Sequence, residues 1–139
     1  MRFMMLMIPH GYATAGADKM PDAKAVEAMM KYNESLKEAG VLLSLDGLHP
    51  PASGARVTFR NGETSVAHGP FPEVKEALGG YWMIRVNSQD EAVAWAQRCP
   101  VSHDATIEIR QVFEMEEFPE DVQKAAGDFP ERMRAAQQH

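Results

Sequence analysis

Apolar and polar positions along the chain follow two periods, and the switches between them mark the elements. Residues 2–8, RFMMLMI, are apolar at nearly every position, which predicts a strand covered on both faces. After Asp22 the period lengthens. Val26, Met29, Met30, Asn33 and Leu36 fall on one stripe with Lys and Glu elsewhere, predicting a helix with Tyr32 and Glu34 at the stripe's edges. Gly40 follows where a left-handed C-terminal cap belongs. A second strand, 41–46, stops at Asp46-Gly47 and the prolines beyond. In ARVTFRNGETSVAH, Val57 and Phe59 alternate inward about Asn61-Gly62, a pair preferred where both central turn residues need φ > 0. A strand over 81–86 leads to a helix with Ser88 and Glu91 in capping-box spacing, Ala92, Trp95, Ala96 and Cys99 inward, and Pro100 at its end. Ile107 and Ile109 then alternate with Glu108 and Arg110, a strand with one wet face.

Setting the hairpin aside, the order is β-α-β-β-α-β. The fold class expected is α+β, a ferredoxin-like unit with an inserted β-hairpin over residues 1–118, followed by a helical tail over 119–139. The tail reads as one or two polar helices broken near 127–130, with Phe118, Val122, Phe129 and Met133 as its main apolar residues. Helices cover one face of such a sheet. The other, apolar at 2–8 and 81–86, calls for a partner, and a homodimer through the sheet faces supplies one.

Composition narrows the function classes. With 139 residues, 45% apolar and 24% charged, the chain fits one globular domain. A net charge of −6 argues against nucleic acid, whose phosphates need concentrated positive charge. The single cysteine, Cys99, excludes an internal disulfide, and the cytoplasm is the expected compartment. The opening MRFMMLMIPHGYA reads as a strand rather than a leader, because its apolar run is short and no small-residue cleavage site follows. No stretch is long and apolar enough to predict a membrane span.

The motif HGPFPEVKEALGGYWMI, followed by SQDEAVAWAQRCP, resembles the signature of the YCII-related domain proteins, in the branch named for an Asp-Gly-Pro-Phe (DGPF) motif. Members read Asp-Gly-Pro-Phe, an acidic-x-Lys-Glu step, Gly-Gly and a strand, then an acidic Glu-Ala helix ending in Pro. KYNESLKEAGVLLSLDGLHP is similar too, so the resemblance spans roughly 2–114. It implies a dimeric α+β barrel and no settled activity. His68 stands where the branch has Asp. The resemblance also implies, in the wider group, a His–Asp pair on and after the first helix as acid–base machinery; Met29 and Glu38 occupy those positions here, so that pair does not carry over.

Topology suggests where chemistry could gather. The C-terminal ends of the first two main strands share an edge with the N-terminal ends of the last two. That rim collects His10, Asp46, His49, His68, Tyr81, His103 and Asp104. Three functions compete. The first is a partly apolar cleft near the rim binding a small organic molecule, with Asn33, His49, Tyr81 and His103 as ligand-binding candidates. The second is an acid–base enzyme of isomerase or lyase type, with His68 or His10 as base and Asp46 orienting it. The third is a non-catalytic interaction or regulatory module working through dimer surface and tail. No His-x-His or His-x-x-x-His spacing points to a metal, and no cofactor is implied. Asn33 on the sheet-facing stripe must bond to backbone, to a rim group or to a ligand. In the motif, Gly69-Pro70 turns the chain, Pro72 opens a short helical turn, Lys75 and Glu76 suit an ion pair, and His68 is the candidate functional group. The ten methionines mostly suit core positions, as do Trp82 and Trp95. Cys99 reads as a small buried hydrophobe rather than a nucleophile.

Overall fold

The computed structural model describes residues 1–137; Gln138 and His139, the end of the expected tail, lie outside the described residues. In chain order the elements are β1 (Arg2–Pro9), α1 (Ala23–Glu38), β2 (Leu42–Gly47), β3 (Ala55–Arg60), β4 (Glu63–His68), β5 (Gly80–Arg85), α2 (Gln89–Gln97), β6 (Ala105–Gln111), α3 (Glu120–Ala126) and α4 (Phe129–Gln137). The main sheet has the order β2-β5-β1-β6 with every neighbour antiparallel, and β3-β4 form a separate two-stranded sheet. This is the ferredoxin-like arrangement: two β-α-β crossovers interleave, and both helices lie on one face of the sheet.

Alternation along β1 and β5 decides which side chains enter the core. Phe3, Met5 and Met7 from β1 meet Trp82 and Ile84 from β5, Val86 just beyond it, Tyr32 and Leu36 from α1 and Ala92 from α2. Each large apolar side chain buried there contributes about 1.5–3 kcal/mol. The intervening residues, Met4, Leu6, Tyr81 and Met83, face the other side and stay partly exposed.

Local chemistry fixes the ends. The Asp22 side chain accepts from the Ala25 N–H and opens α1, and Gly40, at φ 75°, takes the left-handed position after it. Ser88 Oγ accepts from the Glu91 N–H at 3.2 Å. The Glu91 carboxylate reaches back to the Asn87 N–H at 2.9 Å, one residue earlier than a strict capping box would place it. Asn61 and Gly62 both have positive φ, as their turn requires. The tail divides into α3 and α4 at Gly127.

Four expectations are corrected. Val57 and Phe59 do not point inward: the hairpin stands off the sheet, and Phe59 is 77% exposed. On α1 the buried residues are Tyr32, Asn33 and Leu36, so the stripe sits about one position round from Met29–Met30, and Met30 is exposed. Tyr32 is therefore core, its hydroxyl donating to the Trp95 carbonyl at 2.7 Å and its ring edge-on to Trp82. Lastly, residues 72–73 form a simple turn closed by the Val74 N–H on the Phe71 carbonyl, with no helical turn.

Candidate functional site

Helix α1 runs back from the rim, so its first turns overhang the ends of β1 and β2. The overhang leaves a cleft of about 540 Å³ on the helix side of the sheet. Met7 and Pro9 close β1 beneath it, Gly47 ends β2 with Leu48 and His49 beyond it, and Gly79 precedes β5. Ala25, Val26 and Met29 form the α1 wall, Lys19 to Pro21 the lip before it, and Pro100 to His103 the opposite lip. Five of the seventeen lining residues carry a polar side chain: Tyr12, Lys19, His49, Ser102 and His103. Several apolar ones face water, Met20 at 69% exposure most of all.

Two local devices shape the floor. A Cβ at Gly79 would come within 2.8 Å of Pro9 Cγ, so only glycine lets that strand entry lie against β1. The Gly79 N–H donates to the Met7 carbonyl at 2.8 Å and its own carbonyl accepts from the Leu48 N–H at 2.9 Å, tying three segments together. The Tyr12 hydroxyl donates to the Leu48 carbonyl. Burial pushes its phenol above the ordinary value.

The rim residues named from topology separate by face. His49 and His103 line the cleft, the latter with Nδ1 3.3 Å from the Asp104 carbonyl oxygen. Asp46 and Tyr81 pair across β2 and β5 on the open face, where the Tyr81 hydroxyl donates to Asp46 Oδ2 at 2.9 Å. That bond to the carboxylate, ahead of burial, raises the Tyr81 phenol above its ordinary range. His10 is hydrogen-bonded to Thr106 Oγ1 at 3.2 Å. His68 ends β4 opposite Ala55, exposed on the hairpin. Among the described residues no hydrogen bond or ion pair joins His68 or His10 to Asp46. No group of three or more His, Cys, Asp and Glu side chains there is disposed to hold a metal.

Asn33 lies in the core. The Trp82 Nε1–H donates to its Oδ1 at 2.7 Å, and its amide nitrogen lies 3.8 Å from Met30 Sδ. Cys99 sits beside the cleft wall with its thiol 3.9 Å from Met29 Sδ, and burial pushes that thiol up to about 11. The thiol is thus protonated near neutrality, as a packing group would be.

The glycine-proline-phenylalanine stretch works as an anchor. A Cβ at Gly69 would collide with the Pro51 carbonyl, and Phe71 is 6% exposed with the Arg56 guanidinium 5.5 Å from its ring centroid. Ala13, Pro50 and Ile8 are buried at the same end of the fold and outside the main cluster. Glu73 pairs with Arg56 at 3.7 Å, and no ion pair joins Lys75 to Glu76 among the described residues.

Sequence reasoning overlooked Tyr12, Lys19, Met20, Pro21, Val101 and Ser102. The signal lies in the topology, because all six stand on the loops leaving β1 and entering β6, the segments that the rim of His, Asp and Tyr side chains already marks.

Two comparisons agree on kinship. An uncharacterized protein of Rhizobium meliloti (strain 1021) is 33% identical over 84 residues, covering 60% of this chain and 68% of that protein. The YCII-related domain matches residues 1–116, which hold the whole main sheet, both packed helices, the hairpin and the cleft. The chain therefore belongs to the YCII-related domain family.

Proposed function

We propose that this protein binds a small, largely apolar organic molecule in the cleft between α1 and the ends of β1 and β2. The observation that carries the reading is the cleft wall: methionine, proline and valine side chains around a space of ligand size, with a few polar groups at its lips. Three of the methionines, Met7, Met20 and Met29, are unbranched and adapt to an apolar surface more readily than β-branched residues. Binding is favoured over acid–base catalysis because the two histidines at the cleft have no carboxylate partner among the described residues, while Asp46 is engaged with Tyr81 on the opposite face. The single cysteine suits a reducing compartment, the cytoplasm.

The same reading places a second copy on the open face of the sheet. Met4, Leu6 and Met83 form a half-exposed apolar band there, bordered by Arg85, Glu108 and Arg110. A band of that kind, with charge of both signs at its border, suits a self-complementary two-fold contact.

Binding is tested with the neutral fluorophore N-phenyl-1-naphthylamine. Wild-type protein and His68→Ala should enhance its emission equally, since His68 lies on the hairpin. Val26→Asp, which sets a carboxylate in the wall, should weaken binding about tenfold or more. Enhancement that survives Val26→Asp would place the probe elsewhere and remove the reading.

A further inference from the structure

The lips of the cleft carry an unequal charge. None of the chain's 20 acidic side chains lines it, although the chain as a whole is at −6. Lys19 lines it, with His49 and His103 as further nitrogen donors and Ser102 as a hydroxyl donor. Lys19 makes no ion pair among the described residues, so no carboxylate of the chain competes there for its ammonium. The nearest acids in sequence are otherwise disposed. Asp22 accepts from the Ala25 N–H as the cap of α1, and Asp18 and Asp104 are exposed and outside the lining.

From this arrangement, and resting on the binding reading above, we infer that the cleft's ligand is an apolar monocarboxylate. Its acid group sits at the lip against the Lys19 ammonium, and its hydrocarbon body lies along Met20 and Met29. A neutral ligand would leave the ammonium where water already solvates it and gain nothing from the charge. A cationic one would be repelled. A dicarboxylate would drive its second charge against the apolar wall, where desolvation is unfavourable. A charge-assisted hydrogen bond is about twice as strong as a neutral one, so the head group, rather than the tail, sets the preference among ligands of equal length.

The experiment uses three probes of one chain length: octanoate, octanamide and octylamine. Each is titrated at low salt into the full chain while the methyl resonances of Met20 and Met29 are followed. Octanoate should bind about fivefold or more tighter than octanamide, and octylamine more weakly than either. In Lys19→Gln the octanoate preference should vanish while octanamide binds as before, which also shows the cleft intact. A smaller preference in the wild type, or one that persists in Lys19→Gln, overturns the carboxylate assignment and leaves the cleft reading standing. If none of the three moves either methyl, both readings fall together.

Discussion

Among the described residues the Trp82–Asn33 bond is the one side-chain hydrogen bond that is fully buried. The indole N–H has one bond to give, it is buried, and Asn33 is the only polar or charged side chain in the buried set among the described residues. Asn33→Leu keeps the volume and removes the acceptor, so the N–H loses its partner without gaining water. The expected loss is about 1–3 kcal/mol in urea unfolding. The loss in Trp82→Phe/Asn33→Leu should fall short of the sum of the two single losses, because the unpaired N–H is gone once its donor is removed. This role was only half legible in the sequence: the stripe placed Asn33 toward the sheet, but nothing in a linear pattern names which strand residue will stand opposite a helix position.

Tyr32 and Cys99 give the fold an alkaline limit. Burial raises the Tyr32 phenol, with the neighbouring Cys99 adding and Arg98 opposing, and burial raises the Cys99 thiol from 9.0 to about 11. Both groups are neutral in folded and unfolded chains at neutral pH, so their contribution is fully present there. As pH rises past the unfolded values the unfolded chain releases these protons first, and stability falls until the folded groups ionise. Melting temperature should therefore drop between about pH 9 and 11, with Cys99 contributing on the order of 1–2 kcal/mol over that window. Cys99→Ala should show a shallower decline than the wild type. An unchanged slope would mean that the thiol is hydrated.

At the scale of elements, periodicity located every strand and both packed helices, with the last strand ending at Gln111, short of the ATIEIRQVFEM run that suggested it, because patterning reports which face is covered. It failed where an element has no neighbour. Val57 and Phe59 alternate as a buried face would, yet β3 and β4 pair only with each other. Val26 and Met29 sit on an apolar stripe, yet α1 outruns the sheet beneath them, so Val26 becomes cleft wall and Met29 divides between the wall and the margin of the core. Where two elements meet, glycine marks the tightest approach. A Cβ on Gly80 would lie 2.7 Å from the Asp46 carbonyl oxygen, a backbone atom that cannot swing aside. Gly80→Ala should thus cost about 1–3 kcal/mol. Hydrogen exchange should quicken first in β2, the edge strand whose last pairing is Gly47 with Gly80.

For the whole molecule, the histidine rim shows how far a topological argument reaches. Chain direction brought His10, His49 and His103 to one end of the sheet. Sheet alternation and the layer of helices then divided that end into an open face and a covered one, information that strand order does not contain. His68 left the group because the hairpin carries it. The open face gives the assembly prediction: light scattering on the purified protein should report a mass of two chains. Met4→Glu with Met83→Lys, on paired positions of neighbouring strands, should give single chains that keep their helical spectrum. A monomeric wild type would sink the two-fold contact and leave the cleft untouched.

The exposed turn at Asn61 and Gly62 has a chemical consequence of its own. Two successive positive φ angles select an asparagine followed by a glycine, and with no side chain the glycine gives its own backbone nitrogen little steric protection. That nitrogen can close on the asparagine amide carbon, expel ammonia and leave a succinimide, which water opens to aspartate or isoaspartate. The residues that make the tightest turn of the hairpin also make it the place where the protein ages: preparations held warm at mildly alkaline pH will gain negative charge at the hairpin tip while the core beneath stays intact.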